Sequence, residues 1–372
     1  MLASVVLSGC GSDGYEPRGP FRAQPEGPPP AVAPPSSQAP GPAPGEPPAP
    51  GEEDAAGDPN VVATGLAVPT GLALLPDGTA IVGERETGRL LQVFPDRSPA
   101  RELMTVPVDT AGDGGLLGLA LSPTYTEDGL LYAYVSTATD NRVVRFPIGG
   151  TPNPVLTGLP RGETHNGGAL LFGPEATLYV GTGDAGDPAL AQDPASLGGK
   201  VLAMDVFGQP VAGGQLVYSR GLSDVTALCL APDASLYATD DSATGPDELN
   251  RLAPGADLGW PTESTASLDP VISYPPVEGG LAGCAFAGQT VLLGALDGKR
   301  VHVVTLDPTG VPTGDPVDFL ADRYGRLRTV VLDAQGALWI TTSNRDGLGI
   351  PAEDDDKVLR VVPPTASGSS PL

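Results

Sequence analysis

The chain has 372 residues, 40% of them hydrophobic, and carries 45 acidic against 20 basic side chains, a formal net charge of −25. A surface of that sign repels phosphate backbones and anionic lipid, which argues against nucleic acid as a partner. No apolar run reaches the length of a membrane span, and the acidity itself serves solubility and suits an exported protein.

In chain order, residues 1–10 come first. An apolar run and the small residues Ser8 and Gly9 precede Cys10. That order is the pattern of a bacterial lipoprotein signal, in which the cysteine becomes a lipidated N-terminus. The expectation is export to the cell envelope, with the membrane touched only through a lipid on Cys10. Residues 11–60 are dominated by Pro, Gly, Ala and Glu, as in GPPPAVAPPSSQAPGPAPGEPPAPGEE. Such a segment has little to bury and reads as a disordered, partly polyproline spacer. Residues 61–364 are left as the folded part, and residues 365–372 as a disordered tail.

The folded part repeats itself at roughly 50-residue intervals. The first form is an apolar run, a turn and a second β-like run. It starts at Gly71, Gly118, Gly168, Thr226, Ala282 and Thr329. A further run follows each copy, from RLLQVF at Arg89 to KVLRVV at Lys357. Turn residues between short β-rich runs are hairpin chemistry. Helical periodicity is absent, and 43 prolines with 51 glycines would break helices. Six such units predict an all-β, six-bladed propeller of four-stranded antiparallel blades. The last unit stops at its third strand, and the strand beginning at Val61 is free to complete that blade and seal the ring. Cys229 and Cys284 lie in apolar segments. A disulfide is open to them after export, but the preferred reading is two small, separate core residues.

In a propeller, the residues just before each blade's first strand ring one mouth of the central channel. That ring holds Asp113, His165 with Asn166, Asp224, Arg326 and Arg328. His165 is a candidate general base near neutral pH. His302 alternates with apolar residues and reads as a satisfied strand histidine. Arg326 and Arg328, two apart, would face one way on a strand and suit carboxylates; pairing with Asp322 and Asp333 is the equal alternative. The acidic stretch from Asp240 to Glu248 could hold Ca²⁺ but matches no ligand template, and a solvated turn is preferred. The run Asp354, Asp355 and Asp356 reads as a charged loop.

Five ordered segments then carry a resemblance: GDGGLLGLALSP from Gly112, HNGGALLFGPEATLYVGTGDAGD from His165, AQDPASLGGKVLAMD from Ala191, DELNRLAPGADLGWP from Asp247 and GRLRTVVLDAQGALWITTS from Gly325. Together they resemble the soluble glucose/sorbosone dehydrogenase family, which includes quinoprotein aldose sugar dehydrogenases. The resemblance implies a six-bladed propeller that binds pyrroloquinoline quinone (PQQ) and Ca²⁺ over the channel mouth. It implies that His165 is the base and that Arg326, Arg328 and Asn166 hold the cofactor. Asp113 and Asp184 would contact the sugar, and Ser242 and Ala243 fall at the Ca²⁺ loop. Two positions depart from the family pattern: Ser223 replaces an active-site arginine and Asp297 a cofactor-binding lysine. The implied function is PQQ-dependent oxidation of an aldose at C1, the electron acceptor being unknown. The alternative is a relative without PQQ that serves as an extracytoplasmic binding propeller. A lactonase-like hydrolase using Ca²⁺ is a third reading.

Overall fold

The computed structural model describes residues 57–211, 214–242, 244–262 and 264–364. Six small sheets form a ring, making a six-bladed β-propeller. Blade 1 opens with Pro69–Leu74, blade 2 with Leu116–Leu121 and blade 3 with Leu170–Phe172. Blades 4, 5 and 6 open with Val225–Leu230, Leu281–Ala287 and Leu327–Leu332. These inner strands together wall a central channel of about 510 Å³. Each pairs antiparallel with the second strand of its blade, as Leu72 does with Val82 and Leu119 with Ala133.

Continuous apolar runs arise because neighbouring blades cover both faces of a sheet. The effect is strongest in the middle strands of the blades. Ala80–Glu84, Lys200–Met204 (third in its blade) and Leu338–Thr342 are buried at every position. Inner strands are buried less completely, since one side meets the channel. Between blades 1 and 2, Ile81, Leu90, Leu116, Leu131 and Phe146 form a single apolar cluster.

Blade 3 departs from the expected four strands. Ala256–Asp257 adds a short fifth one, parallel to Val217–Arg220. Blade 6 closes as anticipated: Val61–Ala63 pairs antiparallel with Val358–Val361. The seam includes residues just before that strand. Asp58 Oδ2 accepts from the Tyr324 hydroxyl at 2.6 Å, and Asn60 O accepts from the Arg360 amide at 2.8 Å. Cys10 and residues 365–372 lie outside the described residues.

Two readings need correction. Cys229 and Cys284 form a disulfide, with Cα atoms 5.8 Å apart. Their separation of 55 residues is about one repeat, so they occupy matching places on adjacent inner strands, where the ring is narrowest. Asp355 and Asp356 are buried, not a solvated charged loop. Asp356 Oδ1 accepts from the Asn344 amide at 2.5 Å and from Thr342 Oγ1 at 3.1 Å. By contrast His302 is the satisfied strand histidine expected, with Nε2 2.8 Å from the Glu278 carbonyl.

The disulfide staples blade 4 to blade 5. Closing a loop of 55 residues removes unfolded-state entropy worth about 4 kcal/mol on the chain-entropy model. Reduction, or the Cys229→Ala/Cys284→Ala pair, is expected to lower the denaturant midpoint accordingly; identical oxidised and reduced midpoints would refute the staple.

Candidate active site

The segment from Arg161 to Gly168 leads into the inner strand of blade 3, and its shape comes from Asn166. Asn166 Oδ1 accepts from Asn141 Nδ2 at 2.9 Å and from the Gly162 amide at 3.0 Å, while its Nδ2 donates to the Gly162 carbonyl at 3.0 Å. That amide is therefore spent inside the protein, which leaves it shaping the loop rather than reaching for a cofactor as expected. His165, one residue earlier, takes a left-handed backbone with φ of 55°. Such a conformation is costly for a non-glycine residue and persists only where its surroundings enforce it. Here the Ala185 amide donates to the His165 carbonyl at 2.9 Å. Gly183 packs directly against that carbonyl: a Cβ there would come within 1.9 Å of it, so only glycine fits.

His165 Nδ1 lies 2.9 Å from Asp184 Oδ1 and 3.3 Å from Ser223 Oγ. Asp184 is fully buried. Its Oδ2 accepts from Trp260 Nε1 at 2.9 Å, and its Oδ1 also accepts from the Gly186 amide at 2.8 Å. A carboxylate only accepts, so Nδ1 of the imidazole carries a proton and Nε2 is left as the proton-accepting atom. Asp184 was expected to touch a sugar; burial removes it from the surface and makes it the group that orients His165. Trp260 was missed as a partner. It stands 76 residues from Asp184 in sequence, and spacing carries no signal across that distance.

The Asp184 hydrogen bond raises His165 to a pKa of about 9, against the effect of burial and with help from Asp224 and Asp241. On the acidic side of the mouth burial acts in the opposite direction. Burial lifts Asp224 to about 6 although the Gly167 amide donates to it at 2.6 Å. Burial lifts Asp240 to about 8 although the Ser223 and Asp224 amides donate to it. Asp241 is pushed well up by burial and by Asp247, and these two share a hydrogen bond. At the two ends of the acidic stretch Asp240 and Asp247 are buried rather than solvated.

The two arginines separate. Arg326 is buried between two carboxylates, Asp297 at Nη1 and Asp346 at Nε, the latter at 2.9 Å. Its partners are neither Asp322 nor Asp333; Asp333 binds Arg360 instead. Arg328 is the second residue of the inner strand of blade 6; its half-buried guanidinium makes no hydrogen bond or ion pair among the described residues, though the charges of Asp224, Asp346 and Asp241 act on it from farther away. Asp113 is exposed on the rim, its amide donating to the Glu163 carbonyl at 2.8 Å. The Ser242 amide donates to Asp247 Oδ1 at 2.7 Å, and Ala243 lies outside the described residues. Among the described residues no group of three or more His, Cys, Asp or Glu side chains is arranged to hold a metal.

Fold and site together define a six-bladed propeller with a buried-aspartate–histidine dyad at one channel mouth. The glucose/sorbosone dehydrogenase family model matches residues 66–269, more than half of the chain, and the chain belongs to that family. It is 40% identical to the PQQ-bound aldose sugar dehydrogenase of Streptomyces coelicolor, with a TM-score of 0.78 over 81% of this chain and 96% of that one. A glucose dehydrogenase-type oxidoreductase of Thermus thermophilus is 34% identical, with a TM-score of 0.75 over 81% of this chain and 98% of that one. Quinoprotein glucose dehydrogenase B of Acinetobacter calcoaceticus is 26% identical over 54% of this chain, and the match spans 51% of that enzyme's length.

Because the folded pKa of His165 lies above the unfolded value of about 6.5, the dyad's stabilisation is fully present below that pH and is lost as pH rises through about 9. With only two histidines in the chain, an NMR titration resolves His165 directly. Asp184→Asn is expected to bring its pKa back toward the ordinary value; an unshifted titration would exclude the dyad.

Proposed function

We propose that the chain is an exported, PQQ-dependent sugar dehydrogenase that oxidises an aldose at C1, held at the cell envelope by a lipid on Cys10. The observation that carries this reading is the His165–Asp184 dyad beside the unpartnered guanidinium of Arg328. A half-buried guanidinium without an ion pair is poorly satisfied by itself, and a tricarboxylate such as PQQ would provide what it lacks. Bound PQQ would supply the hydride acceptor. His165 Nε2 takes the proton of the sugar C1 hydroxyl, and Asp184 compensates the positive charge this creates on the ring. Asp113, exposed on the rim, would hydrogen-bond sugar hydroxyls. Ca²⁺ remains an expectation from the family, with no step assigned to it here. The acceptor that reoxidises the cofactor is unassigned.

Two tests follow from the base. His165→Ala is expected to lower dye reduction with aldoses by about 10²–10⁴ in PQQ- and Ca²⁺-reconstituted protein while the fold persists. In the unloaded enzyme His165 is charged at pH 7, so kcat/KM should climb as pH rises toward 9. Full activity of His165→Ala would refute the assignment.

A second reading draws on Asp297. Its carboxylate, with that of Asp346, already neutralises Arg326, as in a propeller that binds its ligand without PQQ. The Asp297→Asn variant separates the two readings. For a dehydrogenase, releasing Arg326 from one carboxylate should tighten PQQ binding several-fold in an absorbance titration. For a propeller without the cofactor, neither wild type nor variant should perturb the quinone spectrum.

A further inference from the structure

Arg85 follows the second strand of blade 1, Ala80–Glu84, and is only 9% exposed. Its Nε is buried and has no hydrogen-bond partner. Its one ion pair, at 3.3 Å, is to Glu86, a half-exposed neighbour. The backbone holds it in place from two sides: the Arg85 amide donates to the Val68 carbonyl at 2.9 Å, and its carbonyl accepts from the Leu116 amide at 3.1 Å. Gly115 lies flat against it, and a Cβ there would come within 2.2 Å of the Arg85 carbonyl and 2.7 Å of its Cγ. Arg328 approaches from the neighbouring blade. Thr329 Oγ1, next to it in sequence, donates to the Thr70 carbonyl at 2.6 Å, so Arg85 and the strand that carries Arg328 both hydrogen-bond the segment from Val68 to Thr70. The Arg85 charge acts against that of Arg328 across this segment.

Arg85 is buried with an orphaned N–H, and Arg328, half-buried, makes no hydrogen bond or ion pair among the described residues; an anion reaching both would satisfy them. The cation expected from blade 5 is missing, since Asp297 stands at that position, and blade 1 supplies one instead. We propose that Arg85 is a further ligand-binding residue, forming with Arg328 a two-guanidinium site for a carboxylate group of the bound ligand. The proposal deepens the PQQ reading and rests on it for the identity of the ligand, but not for the anion site itself.

The test uses the purified full chain without cofactor. PQQ binding is titrated by absorbance, and citrate serves as a cofactor-free tricarboxylate probe read by the shift in melting temperature. Arg85→Gln is expected to weaken both interactions on the order of tenfold, the loss of one charge-assisted contact. Arg101→Gln, which removes an exposed arginine on the outer strand of the same blade, should leave both unchanged. Wild-type affinity for both ligands in Arg85→Gln overturns the proposal. If citrate binds and Arg85→Gln abolishes it while wild type ignores PQQ, the anion site stands and the PQQ reading falls. Should Arg85→Gln fail to fold, Arg85→Lys decides: it keeps the charge without the planar fork, so several-fold weaker binding supports the site and unaltered binding refutes it.

Discussion

The short strand Val61–Ala63 hydrogen-bonds to Val358–Val361, and every other feature of the ring depends on that seam. An open propeller would expose two strand edges and spread the inner strands apart. The seam also reaches the site. The Leu66 and Asp356 backbones exchange hydrogen bonds at 3.1 Å. Asp356 then fixes the Asn344 amide, and Asn344 Oδ1 accepts from the Arg326 amide at 2.8 Å. An N-terminal strand far from the mouth in sequence thus holds one side of the mouth in register. The Cys229–Cys284 disulfide does the equivalent work between blades 4 and 5.

Charge is sorted across the mouth. Blades 3 and 4 contribute Asp184, Asp224, Asp240 and Asp241; blades 1 and 6 contribute Arg85, Arg326 and Arg328, of which Arg326 is already paired with Asp297 and Asp346. His165 sits with the acids, which explains why its basicity rises rather than falls with burial. A ligand lying across the mouth would meet a proton acceptor on one side and guanidiniums on the other, an arrangement that orients an anionic cofactor and leaves the base facing a neutral sugar. Asp297 is the point of tension, since it supplies an anion where the family pattern calls for a cation.

The blade count, the closing strand and the location of His165 at a channel mouth were legible from the sequence. Each follows from local information: turn residues recur between apolar runs, and the ends of the chain leave one strand over. His302 was legible too, because strict alternation with apolar residues marks a buried strand position. What failed to show was anything that depends on which residues meet across blades. Asp184 looked like a sugar contact, and only its burial beneath His165, capped by Trp260, reveals that it orients the ring. The arginines looked like a matched pair, yet Arg326 is taken by Asp297 and Asp346 while Arg328 is left alone.

Sequence by itself therefore determined the architecture and the neighbourhood of the chemistry, because periodicity and turn chemistry act over a few residues. Tertiary structure alone decided the pairings: the disulfide between neighbouring repeats, the dyad, the orphaned Nε of Arg85 and the absence of an ion pair at Arg328. The reason is physical. A carboxylate, a thiol or a guanidinium takes its protonation, its partner and its role from what lies within a few ångströms, and in a closed ring those neighbours come from different blades.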